Sequence, residues 1–184
     1  MKVSREQARR NREAVVEAAS RLFRARGVEG VAIGEVMRAG GMTHGGFYNQ
    51  FPSKDALAAE ACALALEGSV ARWRSIAEEA GGADGAKAIV RDYLSARNRD
   101  APETGCALVS LGAEAARRGG GMAVALREGL DGLVDAYAAA GGVERDAALA
   151  AVAQMVGAMM LARAVDDEAL SDRLLAATRT ALTA

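Results

Sequence analysis

The chain has 184 residues, 51% apolar and 26% charged, with only 4% aromatic and two prolines; this allows one large core or a small domain joined to a medium one, and favours a soluble, mostly helical protein over a disordered or all-β one. No uninterrupted apolar run reads as long enough to span a bilayer, and MKVSREQARRNREAVV turns polar where a signal peptide needs its apolar region, so a cytoplasmic location without a membrane partner is expected. The net charge of −1 hides an uneven distribution: residues 1–54, Lys2 included, hold ten basic and five acidic side chains, while the remainder holds thirteen basic and nineteen acidic ones. A basic module on an acidic body suits a protein that meets phosphate at one end only, although solvated helix faces account for such charges equally well.

In chain order, Val15, Ala19, Leu22 and Phe23 share one face of an amphipathic helix that ends at Gly27. A short helix over 33–39 turns Ile33, Val36 and Met37 inward and breaks at Gly40-Gly41. Another, over 43–50, carries Phe47 and Phe51 as its apolar contacts, with Thr43 as its cap, before Pro52 and Ser53 interrupt the chain. Ser53 then caps a long helix over 54–79, and further helices read over 86–99, 104–118, 122–139, 145–165 and 168–182, each bounded by Gly, Pro or acidic residues. The expected fold is therefore all-α, with about nine helices.

Two short helices joined by a glycine turn behind a supporting first helix form a helix-turn-helix. Gly41 suits a left-handed turn, and Gly45 and Gly46 leave the front of the second helix free to approach a duplex. Thr43, His44, Tyr48 and Asn49 offer hydrogen-bonding groups to phosphates or base edges, and Lys54 adds a cation at the start of the next helix. His44, the only histidine of the chain, would on its own read as an ordinary surface residue.

With AVVEAASRLFRARGVEGV, AIGEVMRAG and GMTHGGFYNQFPSKDAL in this order, residues of about 10–57 resemble the DNA-binding domain of the tetracycline-repressor (TetR) family of bacterial regulators. The resemblance implies a two-domain homodimer, with a helix-turn-helix domain over 1–53 and a ligand-binding and dimerisation domain over 54–184. It implies DNA contacts at Thr43, His44, Gly45, Gly46, Tyr48, Asn49 and Lys54. Ala32 stands where the family usually has a capping Thr or Ser, and Gly34 where some members carry a base-reading side chain, which leaves Arg38 as a substitute.

The body is poor in chemistry. It offers no histidine pair for a metal, no Ser-His-Asp set and no phosphate-binding loop, the GGGM stretch at 119–122 reading as a plain loop, so neither catalysis nor a cofactor or metal is expected. LAAVAQMVGAMMLARAV, 149–165, is apolar nearly all round and has to be buried, in the core or against a second subunit. The resemblance implies the subunit, with the helices over 145–165 and 168–182 pairing with their copies. Cys106 falls in the first turn of a helix capped by Thr104, where backbone amides favour a thiolate, and reads either as a packed pocket-wall residue or as a reactive sensor; Cys62 reads as inert core, and neither cysteine has the spacing of a disulfide framework or a zinc site. Periodicity makes Tyr93, Cys106, Met122, Leu126, Tyr137, Met155 and Met159 candidates for the ligand pocket. The function so implied is a ligand-responsive regulator. It would repress by binding palindromic double-stranded operator DNA as a dimer and be released by a small inducer that is mostly apolar or electrophilic. The alternative is an all-helical dimeric interaction protein whose helix-turn-helix is vestigial.

Overall fold

The computed structural model describes residues 5–184; Lys2 and the first four residues of the expected 1–53 domain lie outside them. Among the described residues there are nine α-helices, two short 3-10 segments and no strand. Helix α1 (Arg5–Arg26) buries Val15, Val16, Ala18, Ala19 and Phe23 at helical spacing and stops at Gly27, whose φ of 74° only glycine adopts cheaply. Helix α2 (Ile33–Ala39) starts at Ala32 without a side-chain cap and buries Val36 and Met37. It crosses α1 so closely that a Cβ on Gly40 would stand 2.8 Å from the Cα of Val15. Gly41, at φ 75°, then reverses the chain.

The segment predicted as a helix over 43–50 is instead a 3-10 segment, His44–Asn49, and the hydroxyl of Thr43 makes no cap bond. Two adjacent glycines in six residues leave α-helix little intrinsic support. The segment is held by tertiary contacts: Phe47 and Phe51 are buried and stacked with centroids 5.7 Å apart, and Arg12 lies 4.6 Å over the Phe51 ring.

Helix α3 (Lys54–Ala80) begins as predicted, with Ser53 Oγ accepting from the Ala56 amide at 3.1 Å. The second 3-10 segment, Gly82–Asp84, leads into the body. The single helix predicted over 86–99 is broken into α4 (Gly85–Tyr93) and α5 (Ala96–Asp100). Polar side chains make the break affordable. Asn98 Nδ2 donates to the Tyr93 carbonyl at 2.8 Å, Arg179 Nη1 donates to the Leu94 carbonyl at 2.9 Å, and Ser95 Oγ accepts from the Asn98 amide at 3.3 Å. Helix α6 (Ala107–Arg118) starts three residues later than predicted. Its cap position is held by Cys106, which therefore precedes the first turn, while Thr104 Oγ1 donates to the Ala101 carbonyl. Helix α7 (Gly120–Gly141) starts inside the GGGM stretch predicted to be a loop. Helices α8 (Arg145–Ala164) and α9 (Glu168–Thr183) complete the chain, the latter capped by Asp167.

The body is organised by α3 against α7, the most extensive helix pair. Their axes approach closely because glycines face side chains: a Cβ on Gly129 would stand 2.5 Å from Leu66 Cβ, and one on Gly132 would stand 3.0 Å from Val70 Cγ2. α8 buries Ala148, Ala151, Val152, Met155, Ala158, Met159 and Ala162 on one side. By length and composition alone α8 is apolar enough to cross a bilayer, although Gln154 interrupts its apolar run and Arg145, Asp146 and Arg163 lie at its ends. Part of this helix is core, a setting in which apolar length carries little information about membranes. Gly129→Val adds atoms where Leu66 already fills the space, so urea denaturation is expected to show a loss of about 2–3 kcal/mol; an unchanged midpoint would mean that α3 and α7 separate freely.

Candidate nucleic-acid interface and adjoining cavity

The helix-turn-helix presents its polar groups outward. Thr43, His44, Gly45, Asn49 and Arg38 are exposed, and Tyr48 is 73% exposed although its ring packs edge-on against buried Phe47, with centroids 5.1 Å apart. Gly46 is half-buried beside the methyls of Met42 and Met37, and Lys54 is half-buried at the start of α3. The glycine at 34 has a visible consequence: a Cβ there would meet His44 Nδ1 at 3.0 Å and Arg38 Nη1 at 3.7 Å. The imidazole and the guanidinium thus converge over the space that a side chain at 34 would occupy.

Ion pairing sorts the cations of this module. Arg9 pairs with Glu13 at 3.2 Å, Arg10 with Glu6 at 2.6 Å, Arg12 with Glu60 at 2.6 Å and Arg26 with Glu35 at 2.5 Å. Among the described residues Arg5, Arg21, Arg24, Arg38 and Lys54 have no carboxylate within ion-pair distance. Two of these five, Arg38 and Lys54, belong to the set named from sequence.

Side chains tie this module to the body. Arg24 Nη1 donates to the Gly105 carbonyl at 2.7 Å. The Glu114 carboxylate accepts from the Val28 amide at 2.9 Å and 3.1 Å, and Arg118 pairs with Glu29 and Asp55. Burial lowers the pKa of Arg24, and the main opposing influence is the Cys106 sulfur.

Directly behind Gly105 lies a cavity of about 240 Å³, lined by Ser69, Arg72, Trp73, Asp92, Tyr93, Arg97, Asn98, Thr104, Gly105 and Cys106. Trp73 meets Tyr93 edge-on at 5.6 Å and Tyr137 at 6.4 Å. Of the seven pocket candidates, Tyr93 and Cys106 line this space, and Tyr137 supports its wall through Trp73. Met122, Met155 and Met159 are buried in the core, and Leu126 packs against it half-buried; none of these four lines the cavity. Trp73, Arg72, Asp92, Arg97 and Asn98 were not legible as a set, because they come from three helices and carry no local motif. The one signal available was Trp73, the only tryptophan of the chain.

Two groups in the wall are unusual. The Tyr93 hydroxyl is buried, with no nitrogen or oxygen partner and only the Cys106 sulfur beside it; burial, and secondarily that sulfur, raise its pKa well above the ordinary value. The Cys106 thiol is 5% exposed. Burial raises its pKa against the opposing pull of Tyr93, of the Leu108 and Val109 amides and of Arg163. Of the two readings of Cys106 left open by the sequence, this favours the packed wall residue, since desolvation outweighs the helix start. Cys62 is likewise pushed up, to about 11, first by burial.

Fold and exposed surface together describe an all-helical protein with a helix-turn-helix head and a body that holds a cavity. Residues 15–61 match the family model described as bacterial regulatory proteins, tetR family. Solved structures are similar over nearly the whole chain. A TetR transcriptional regulator from Chloroflexus aurantiacus J-10-FL is 26% identical with a TM-score of 0.77, covering 97% of this chain and 96% of that one. The reduced form of Escherichia coli NemR is 20% identical with a TM-score of 0.76 over 94% of each chain. A TetR-family transcriptional regulator from Cytophaga hutchinsonii is 20% identical with a TM-score of 0.74, covering 100% of this chain and 97% of that one. No curated protein sequence matched. Residues 15–61 thus match the DNA-binding region of the tetR family, and the chain as a whole has the fold of TetR-family regulators.

Both thiols being buried and held protonated, iodoacetamide at neutral pH is expected to modify neither Cys62 nor Cys106 in the folded protein and both in denaturant, as read by mass spectrometry. Rapid modification of Cys106 alone would show that the α5–α6 segment opens.

Proposed function

We propose that the protein is a ligand-responsive repressor: a dimer that binds a palindromic operator through the 1–53 module and releases it when the 54–184 body takes up a small inducer. The observation that carries this reading is the convergence of His44 and Arg38 over Gly34, next to exposed Thr43, Tyr48 and Asn49. A vestigial module would have no need of a side-chain-free position beneath two hydrogen-bonding groups. In this reading His44 and Arg38 address base edges, Thr43, Tyr48, Asn49 and Lys54 hold phosphates, and Gly45 and Gly46 allow close approach. The chain acts in the cytoplasm, on DNA, without catalysis or cofactor.

The inducer acts from the cavity behind Gly105, with Tyr93, Cys106 and, through Trp73, Tyr137 among its wall groups. Arg24 of α1 is bonded to that same Gly105 carbonyl, so a ligand that shifts the α5–α6 segment strains a contact of the head. Between the two inducer classes read from sequence, burial of Cys106 favours reversible binding over attack on an electrophile. Dimerisation uses α8 and α9. Leu149, Met160 and Leu161 of α8 and Leu170 of α9 are each more than 40% exposed, and a Cβ on Gly157 between them would meet nothing within 4 Å.

Lys54→Ala is expected to weaken binding to every duplex and to lower the slope of log affinity against log salt by about one, whereas His44→Ala should cost about 1–3 kcal/mol on the selected operator and little on random duplex. Fluorescence anisotropy at several salt concentrations decides, and equal losses for His44→Ala on both duplexes would move that residue to the phosphate class. Gly157→Glu fits the folded protomer and places a charge in the subunit contact, so sedimentation is expected to report a folded monomer; a folded dimer would put the interface elsewhere.

A further inference from the structure

The walls of the cavity are less neutral than an apolar inducer requires. Asp92 is the one carboxylate among its lining residues, and it is shared. Arg72 donates Nε to Oδ2 at 3.0 Å and Nη2 to Oδ1 at 2.6 Å, and Arg97 donates to the same Oδ1. Two cations on one anion leave a positive charge at the rim. Behind the wall stand two more guanidiniums, Arg24 and Arg163, bonded mainly to carbonyls: Arg24 to that of Gly105, and Arg163 to those of Asn98 and Arg99 at 2.7 Å and 3.1 Å. Neither has a carboxylate within ion-pair distance among the described residues, and burial lowers the pKa of both against the weaker pull of more distant groups, Glu103 for both and Asp100 for Arg163 among them. A cation in that position is stabilised by any negative charge brought near it, and a low-dielectric cleft focuses the field of all four arginines. Inside, the buried Tyr93 hydroxyl has no nitrogen or oxygen partner and faces only the Cys106 sulfur, a weak acceptor, while its ring meets that of Trp73 nearly at right angles.

We infer that the cavity takes a small organic anion, a monocarboxylate with an apolar body of about one ring, whose oxygens answer the arginine rim and the Tyr93 hydroxyl while its body lies among Trp73, Tyr93 and Cys106. The volume of about 240 Å³ admits little more than one ring. This identifies the chemical class of the inducer and rests on the reading of the cavity as the inducer site. It replaces the mostly apolar ligand expected from sequence, which counted Met and Leu positions that the structure puts in the core.

Trp73, as the sole tryptophan, reports on this cavity alone. The test titrates the full-length protein with benzoate, 4-hydroxybenzoate and hexanoate, each against its own amide, and follows Trp73 fluorescence. At least one acid is expected to bind about tenfold tighter than its amide, since a charge-assisted contact in a partly buried site contributes a factor of that order. Arg97→Gln, at a side chain 71% exposed and so harmless to the fold, should abolish most of that preference, and Tyr93→Phe should weaken the acid while helicity by circular dichroism stays unchanged. Acids that bind no tighter than their amides throughout the panel, or a preference that survives Arg97→Gln, would overturn the inference. Operator affinity measured separately keeps the two readings apart. An acid that fills the cavity of a protein without operator affinity sinks the regulatory reading only, and operator release by an amide in preference to its acid sinks only the anion.

Discussion

Everything above the DNA-binding head is oriented through two side chains that bond to loop backbone: Arg24 on the Gly105 carbonyl and Glu114 on the Val28 amide. Each is partly buried, and each satisfies a backbone group that no regular element serves, so breaking either leaves an orphaned polar atom as well as a lost contact. The two bonds run in opposite directions across the same boundary, from α1 into the body and from α6 into the head. Arg118 adds ion pairs to Glu29 and Asp55, but both of those carboxylates are well exposed and contribute little fixed energy. The head is thereby fixed by a few polar bonds laid over an apolar contact of α1 with α3. Polar bonds of this number can be exchanged at modest cost, which a closed apolar seam would not permit. A body that alters the α5–α6 segment acts on the Arg24 bond directly, since Gly105 belongs to both.

The same segment explains why the cavity exists at all. Continuing α4 to residue 99, as apolar periodicity predicts, would keep the backbone of this stretch in one rod. The break at Leu94–Ser95 lets α5 turn away, and Asn98, Ser95 and Arg179 take over the hydrogen bonds that the helix gives up. Polar side chains bonding to nearby backbone are a signal that apolar spacing does not contain. The start of α6 was misread for the same reason: Thr104 bonds back to Ala101, leaving Cys106 at the cap position with its sulfur buried.

How far the sequence could be read follows from these cases. The long amphipathic elements, the Gly27 and Gly41 turns and the Ser53 cap were legible because each rests on local chemistry. The His44–Asn49 segment was placed correctly but assigned the wrong helix type, since Phe47 and Phe51 hold it through distant contacts. In the body, Tyr93 and Cys106 of the residues named from sequence line the cavity. Met122, Met155 and Met159 were indistinguishable from them by periodicity, because an inward-facing residue can line a space or fill it, and only packing decides. The arginine rim was invisible: Arg72, Asp92 and Arg97 look like solvated surface charges until α3, α4 and α5 bring them together.

The apolar exposure of the chain is equally uneven, and that unevenness bears on α8. Among the described residues, half of the large hydrophobic side chains that stand exposed, Leu149, Met160, Leu161 and Leu170, lie on α8 and the start of α9. α8 therefore buries one face in its own protomer and leaves a second apolar face open, which makes it apolar all round without being wholly core. A lipid-spanning helix needs its apolar surface to be continuous around the axis and unpaired with protein, whereas here the buried face is already committed to Val152, Met155 and Met159. What remains is a stripe of one helix width with a glycine at its middle, and a surface of that shape is satisfied by another helix laid along it more completely than by solvent or lipid.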